Sequence, residues 1–132
     1  MPVASVQGCG RPGADCLRHF LLSLGFEARC EPLKAEVAVA VGDDVECWPL
    51  ESARVVVADR LAAHRCGGDL AGAAASLDPP DSVRVLGRGK LVFHGPEALF
   101  LVMRELPRLL EWNRLLYRTP PLTREDVLRH KP

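Results

Sequence analysis

The spacing of apolar positions changes several times along the chain, and each change marks an element. Residues 3–7 (Val-Ala-Ser-Val-Gln) are β-prone and are broken by Gly8, Gly10, Pro12 and Gly13. Leu17, Phe20, Leu21 and Leu24 then recur at helical spacing. This predicts a helix over 14–24, with Asp15 in the first turn and Gly25 as the stop. Residues 26–30 read as a second short strand. A strand, a tight loop, a helix and a strand within about 30 residues form a βαβ unit, so these two strands are expected to be parallel.

Over 36–41 the pattern is strictly alternating, with Val37, Val39 and Val41 set against Glu36, Ala38 and Ala40. Gly42-Asp43-Asp44 is turn chemistry, and 45–48 can return as a partner strand, which predicts a hairpin. The next stretch supports two readings. Leu50, Ala53, Val57 and Leu61 share a helical face, and the abundance of alanine and leucine up to His64 favours helix. The β-branched run Val55-Val56-Val57 would equally suit a buried strand. Asp69 can cap a short helix over 70–77, ended by Asp78-Pro79-Pro80-Asp81. Residues 83–86 and 91–93, joined by Gly87-Arg88-Gly89, predict a second hairpin. Gly95-Pro96-Glu97 opens a helix carrying the longest apolar stripe, Leu99, Val102, Met103, Leu106 and Leu110. Pro107 is expected to kink or divide it, and Trp112, Leu115, Leu116 and Tyr117 continue its pattern.

These elements predict an α/β (α+β) fold: a small mixed sheet with an N-terminal βαβ unit, two hairpins and packed helices. Residues 1–117 form the domain, and 118–132 form a proline-containing, charged tail. At 132 residues the chain is long enough for one core without metal or disulfide staples.

Composition then narrows the function classes. The 17 basic and 17 acidic side chains cancel, which argues against a nucleic-acid or anionic-membrane partner. No run approaches the roughly 18 apolar residues of a membrane span. The first residues have no basic stretch followed by an apolar one, so no export leader is expected. On that basis the five cysteines, Cys9, Cys16, Cys30, Cys47 and Cys66, are expected to be reduced thiols in the cytoplasm.

Three constellations near the N-terminus could carry chemistry. Cys9 lies where a strand meets a helix N-terminus, a position that can lower a thiol pKa and create a nucleophile. Gly8, Gly10 and Gly13 match the G-x-G-x-x-G spacing, so the loop from Gly8 to Gly13 could cradle a phosphate or another anion, although Pro12 removes one amide donor. Cys9, Cys16, His19 and Cys30 contain cysteine and histidine, but without the close pairs of a structural zinc site. No metal or cofactor is therefore expected. His64, His94 and His130 have no sequence-adjacent nucleophile or acid, and their default role is structural or at the surface.

Cys9-Gly10-Arg11-Pro12 at a strand-to-helix turn, the βαβ unit, and Pro79-Pro80 leading into a hairpin and a terminal helix together resemble the thioredoxin-like superfamily, glutaredoxins in particular. The resemblance implies a thiol-dependent redox protein with Cys9 as the reactive thiol and Pro80 as the proline before the hairpin. Pro12 stands where the second motif cysteine would be.

A different reading comes from the C-terminal third. No catalytic constellation is evident, and Phe100, Leu101 and Leu109 flank the main stripe of a very apolar helix. With Trp112, Tyr117 and Leu122 they are the expected binding residues of a non-enzymatic interaction or scaffold subunit, whose partner is another protein or a larger assembly. Residues 101–132 hold seven basic and four acidic side chains, a modest bias toward an acidic partner surface.

Overall fold

A computed structural model describes residues 2–77 and 82–116. Among these residues six strands and five helices follow one another as β1 (Val3–Gln7), α1 (Pro12–Ser23), β2 (Glu27–Arg29), β3 (Val37–Ala40), α2 (Trp48–Ser52), β4 (Val55–Asp59), α3 (Arg60–Cys66), α4 (Gly68–Ala75), β5 (Ser82–Leu86), β6 (Lys90–His94) and α5 (Ala98–Trp112). The strands form one mixed α/β sheet in the order β2-β1-β3-β4-β6-β5. All neighbouring pairs are parallel except the edge hairpin β5–β6.

Strand alternation sorts the side chains into two cores. Ala4, Val6, Val37, Val39, Val55, Val57, Leu91 and Phe93 meet α1 and α5 on one face. Ala38, Ala40, Val56, Ala58 and Val92 meet α2, α3 and α4 on the other. Alanines dominate the second interface from both sides, including Ala62, Ala63, Ala73 and Ala74 of the helices, so those short helices can lie close to the sheet. Helices on both faces of a largely parallel sheet, with the strand order reversing beside β1, make a doubly wound arrangement. Between β2 and β3 the chain crosses β1 without a helix. The Ser5 hydroxyl, buried on that face, donates to the Glu31 carbonyl (2.8 Å) and accepts from the Leu33 N–H (3.3 Å). No helix among the described residues is long and apolar enough to cross a membrane.

The βαβ unit and the β5–β6 hairpin form where the pattern places them. The first hairpin does not form. Residues 37–40 are an interior strand, parallel to β1 and β4, and Ala38 and Ala40 are as buried as the valines beside them. The Val/Ala alternation therefore reflects burial on both faces, with large residues toward one core and small ones toward the other. The returning segment 45–48 is instead a loop that enters α2, with Val45 in the second core.

Residues 54–64 are likewise not one helix. Val55–Asp59 is a fully interior strand, and the helix begins only at Arg60, capped by the Asp59 carboxylate on the Ala62 N–H (2.9 Å). The helical face shared by Leu50, Ala53, Val57 and Leu61 is a coincidence of two elements. The β-branched run decided the outcome, because it fits a strand flanked on both sides.

In α5, Pro107 lies within one continuous helix, which ends at Trp112 before the expected limit. The stop is a Schellman motif: the Arg114 N–H reaches the Glu111 carbonyl (3.0 Å), and the Leu115 N–H reaches that of Leu110 (2.7 Å). Leu115 thereby returns to the first core. Asn113 ties this end to the hairpin turn by donating to the Arg88 carbonyl (2.8 Å). The motif needs a left-handed residue, and Arg114 fills it with φ +58° where glycine is usual. Arg114→Gly is therefore expected to stabilise the protein by about 0.5–1 kcal/mol, the left-handed cost removed less the added chain entropy. Urea denaturation checks this, and a lowered midpoint would contradict it. Tyr117, Pro80 and the 118–132 tail with Leu122 lie outside the described residues.

Candidate functional site

Parallel strands bring the exits of β1, β3, β4 and β6 to one edge of the sheet. In doubly wound sheets ligands bind at this carboxyl edge, near the point where the strand order reverses. Here the reversal lies between β1 and β3, and the loop from Gly8 to Gly13 sits directly on it. Pairing persists one step beyond β3, where the Val41 N–H donates to the Gln7 carbonyl (3.0 Å). Gly8 then turns the chain across the end of β3 at φ +99°. A Cβ on Gly8 would fall 2.2 Å from the Val41 carbonyl oxygen, so only glycine lets the loop lie this close.

Two of the loop's amides are committed to the protein itself. The Gly10 N–H donates to Asp15 Oδ1 (2.9 Å), and the Arg11 N–H donates to the Gly8 carbonyl (3.0 Å). Pro12 has no N–H. The backbone cradle implied by the glycine spacing is thus partly filled by the carboxylate of Asp15. The loop instead contributes a side chain: the Arg11 guanidinium lies over Gly42, whose Cβ, if present, would meet Nε at 2.7 Å. The Gly42 N–H is shared by both carboxylate oxygens of Asp59 (3.1 Å each), while the same carboxylate caps α3. Arg11, the β3 exit and the start of α3 are therefore linked through Gly42 and Asp59.

Between these elements lies an open cleft of about 700 Å³. Val41, Leu61, Phe93 and Leu99 give it apolar walls. Arg11, Arg60, His64 and His94 give it a basic rim, and the one carboxylate that lines it among the described residues, Asp59, already accepts the Gly42 and Ala62 N–H groups. Among the described residues neither the Arg11 nor the Arg60 guanidinium has a hydrogen-bonding or ion-pairing partner. A guanidinium without a protein acceptor offers a planar fork of donors for a carboxylate or phosphate.

The sequence reading missed Asp59, Arg60, His64 and His94 as cleft residues. Asp59 and His94 are the last residues of β4 and β6, and Arg60 and His64 lie in α3 directly after β4, a signal usable only once both are known to be neighbouring parallel strands.

The cysteines require correction. Cys9 is bonded to Cys30 and Cys47 to Cys66, so four of the five expected reduced thiols are disulfides. Cys9 is therefore not a free thiolate at the α1 N-terminus. The half-buried Cys16 is free, and burial pushes its thiol pKa up, away from a reactive thiolate. With Cys9 and Cys30 joined, the set Cys9, Cys16, His19 and Cys30 has no thiolate pair to offer. Among the described residues no group of three or more histidine, cysteine or carboxylate side chains is arranged to hold a metal.

The predicted interaction residues divide between core and surface. Leu109 is fully buried in the first core, and Phe100 is half-buried. Leu101 and Trp112 are exposed, at 39% and 50%. They lie about three helical turns apart and share a side of α5. Exposed Arg104 and the Arg108–Glu105 ion pair (3.5 Å) lie between them in sequence. Most of the apolar excess of this helix is thus accounted for by its own sheet. Comparison with known protein families, with curated proteins and with solved structures finds no match to this chain.

Proposed function

We propose that this domain is a binding module for a small organic anion, held in the carboxyl-edge cleft with its charged group between Arg11 and Arg60 and its apolar part against Phe93 and Leu99. The observation that carries the reading is the pair of arginines without protein acceptors on opposite sides of an apolar-walled cleft. The ligand class follows from that lining: a carboxylate or phosphate ester with a flat or branched hydrocarbon body suits it better than a bare inorganic ion. No residue is assigned a catalytic role. The two disulfides support an oxidising rather than a reducing setting.

Phenyl phosphate and benzoate are suitable probes, with titration calorimetry and thermal shift as readouts. At about 100 times Kd a ligand stabilises the fold by about 2.7 kcal/mol, a readily measured rise in Tm. Arg11→Gln and Arg60→Gln are each expected to weaken binding at least tenfold, about 1.4 kcal/mol, whereas Arg108→Gln on α5 leaves it unchanged. If neither probe binds at millimolar concentration, or if both arginines can be replaced without effect, the reading falls.

A second reading, docking on another protein through α5, is favoured by the outward Leu101 and Trp112. It retains two of the expected binding residues, while Leu109 is committed to the core.

A further inference from the structure

We propose that the Cys9–Cys30 bridge is a thiol–disulfide switch that sets how tightly the cleft holds its anion; this rests on the cleft being the binding site. The bridge joins the exits of β1 and β2, and its first cysteine lies two residues before Arg11. Cys9 sits between Gly8 and Gly10, both at positive φ, and a side chain at Gly10 would meet nothing within 4 Å. The Gly10 side of Cys9 therefore has open space to move into, whereas Gly8 stays against the Val41 backbone. Besides the bridge, three hydrogen bonds hold the loop: the Gly10 N–H donates to Asp15 Oδ1, the Arg11 N–H to the Gly8 carbonyl, and the Asp15 N–H to the Arg11 carbonyl. The other anchor, Cys30, begins the helix-free crossing to β3. Cutting the bridge releases the loop that places Arg11 over Gly42, on one side of the cleft.

The second bridge serves the opposite side. Cys66 ends α3, the helix that carries Arg60, Leu61 and His64, and Cys47 precedes α2. Arg65 adds a hydrogen bond to the Val45 carbonyl (2.6 Å). The two bridges differ in access: Cys9 and Cys30 are exposed, whereas Cys47 and Cys66 are half-buried. Exposed disulfides are the more readily attacked, so a reductant reaches the Arg11 side first and leaves the Arg60 side pinned.

The chemistry is ordinary exchange with a dithiol. Its thiolate attacks one sulfur of the Cys9–Cys30 bond, forming a mixed disulfide, and the other cysteine leaves as a thiolate that takes a proton. The second thiol of the reductant, as thiolate, then displaces the remaining cysteine, which is protonated in turn. Two electrons and two protons pass to the protein, and the dithiol departs as its own disulfide.

Wild-type protein treated with graded dithiothreitol, alkylated and mapped by mass spectrometry, is titrated in parallel with phenyl phosphate. Cys9 and Cys30 are expected to be labelled at concentrations that leave Cys47–Cys66 intact. In that state affinity is expected to fall at least fivefold, with circular dichroism unchanged, and to return on reoxidation. The Cys9→Ser/Cys30→Ser double variant is expected to show the weaker affinity with or without reductant. Should that variant not fold, the wild-type series alone decides. Equal affinity in the oxidised and selectively reduced states overturns the switch and leaves the cleft standing. Oxidised protein that binds no probe overturns the cleft itself, and the switch with it. Reduction of Cys47–Cys66 first would also overturn the switch.

Discussion

Gly8→Ala is expected to lower stability by about 3–4 kcal/mol, the sum of a left-handed backbone cost and the strain of overpacking. Gly8 has φ +99°, and its missing Cβ leaves the space that the Val41 carbonyl occupies. That neighbour is backbone, held by the Val41 N–H bond to Gln7, so no rotamer change can relieve the clash. The loop must lift off the end of β3 or the strand pairing must open. For a chain of this length the loss corresponds to a Tm drop of about 10–15 °C. Gly10→Ala is the control: its φ is almost the same at +98°, but nothing lies within 4 Å. It should lose only the backbone term, about 1–2 kcal/mol. Urea denaturation of the two variants separates these costs, and equal losses would mean that the loop does not lie against Val41.

Leu109→Ala is expected to cost about 3–4 kcal/mol, in the range for a fully buried leucine whose neighbours cannot collapse into the space. Leu109 shows no exposure and lies among Val102, Leu106 and Leu110, the residues that press α5 onto the sheet. Leu101→Ala, on the outward side, should cost less than about 0.5 kcal/mol, as surface substitutions do. The contrast also tests the docking reading of α5. If another protein covers this side, Leu101→Ala and Trp112→Ala weaken that association while leaving the denaturation midpoint in place. Light scattering on the full chain, before and after these substitutions, checks the case of self-association. A Leu109→Ala protein as stable as the parent would remove Leu109 from the core and restore it as a surface candidate.

Much of the local structure was legible because it rests on neighbours in sequence. The α1 stripe, the Gly25 stop, the Gly87-Arg88-Gly89 turn and the βαβ start all express periods or turn chemistry within a few residues. The errors have one physical origin. Period-2 patterning reports which residue types alternate, not which faces are covered, and alanine is small enough to serve as either a surface or a core residue. Residues 37–41 therefore looked like a half-exposed hairpin strand, although both of their faces are buried. The valine run at 55–57 suits a strand, but its neighbours happen to share a helical face with it, so the local pattern supports both elements.

The candidate site was legible only at one corner. The glycine spacing from Gly8 to Gly13 picked out the loop that the strand order places at the switch point, yet the expected amide cradle is partly filled by Asp15 and the useful group is Arg11. Arg60, His64 and His94 come from two other strand exits, and no local pattern connects them to Gly8. Cysteine pairing was equally out of reach: Cys9 and Cys30 are 21 residues apart, and Cys47 and Cys66 are 19 apart. Their bonding depends on which strand exits lie side by side.

By itself the sequence determined the α/β class, the parallel start, the C-terminal hairpin and helix, and the Gly25 stop, since each depends on backbone preference and side-chain period within one or two elements. Only the tertiary structure decided the strand order, the burial of β3 on both faces, the two disulfides and the gathering of Arg11, Arg60, His64 and His94 around one cleft. Those features arise from packing between segments far apart in the chain, where the side of the sheet on which a helix returns sets which residues meet.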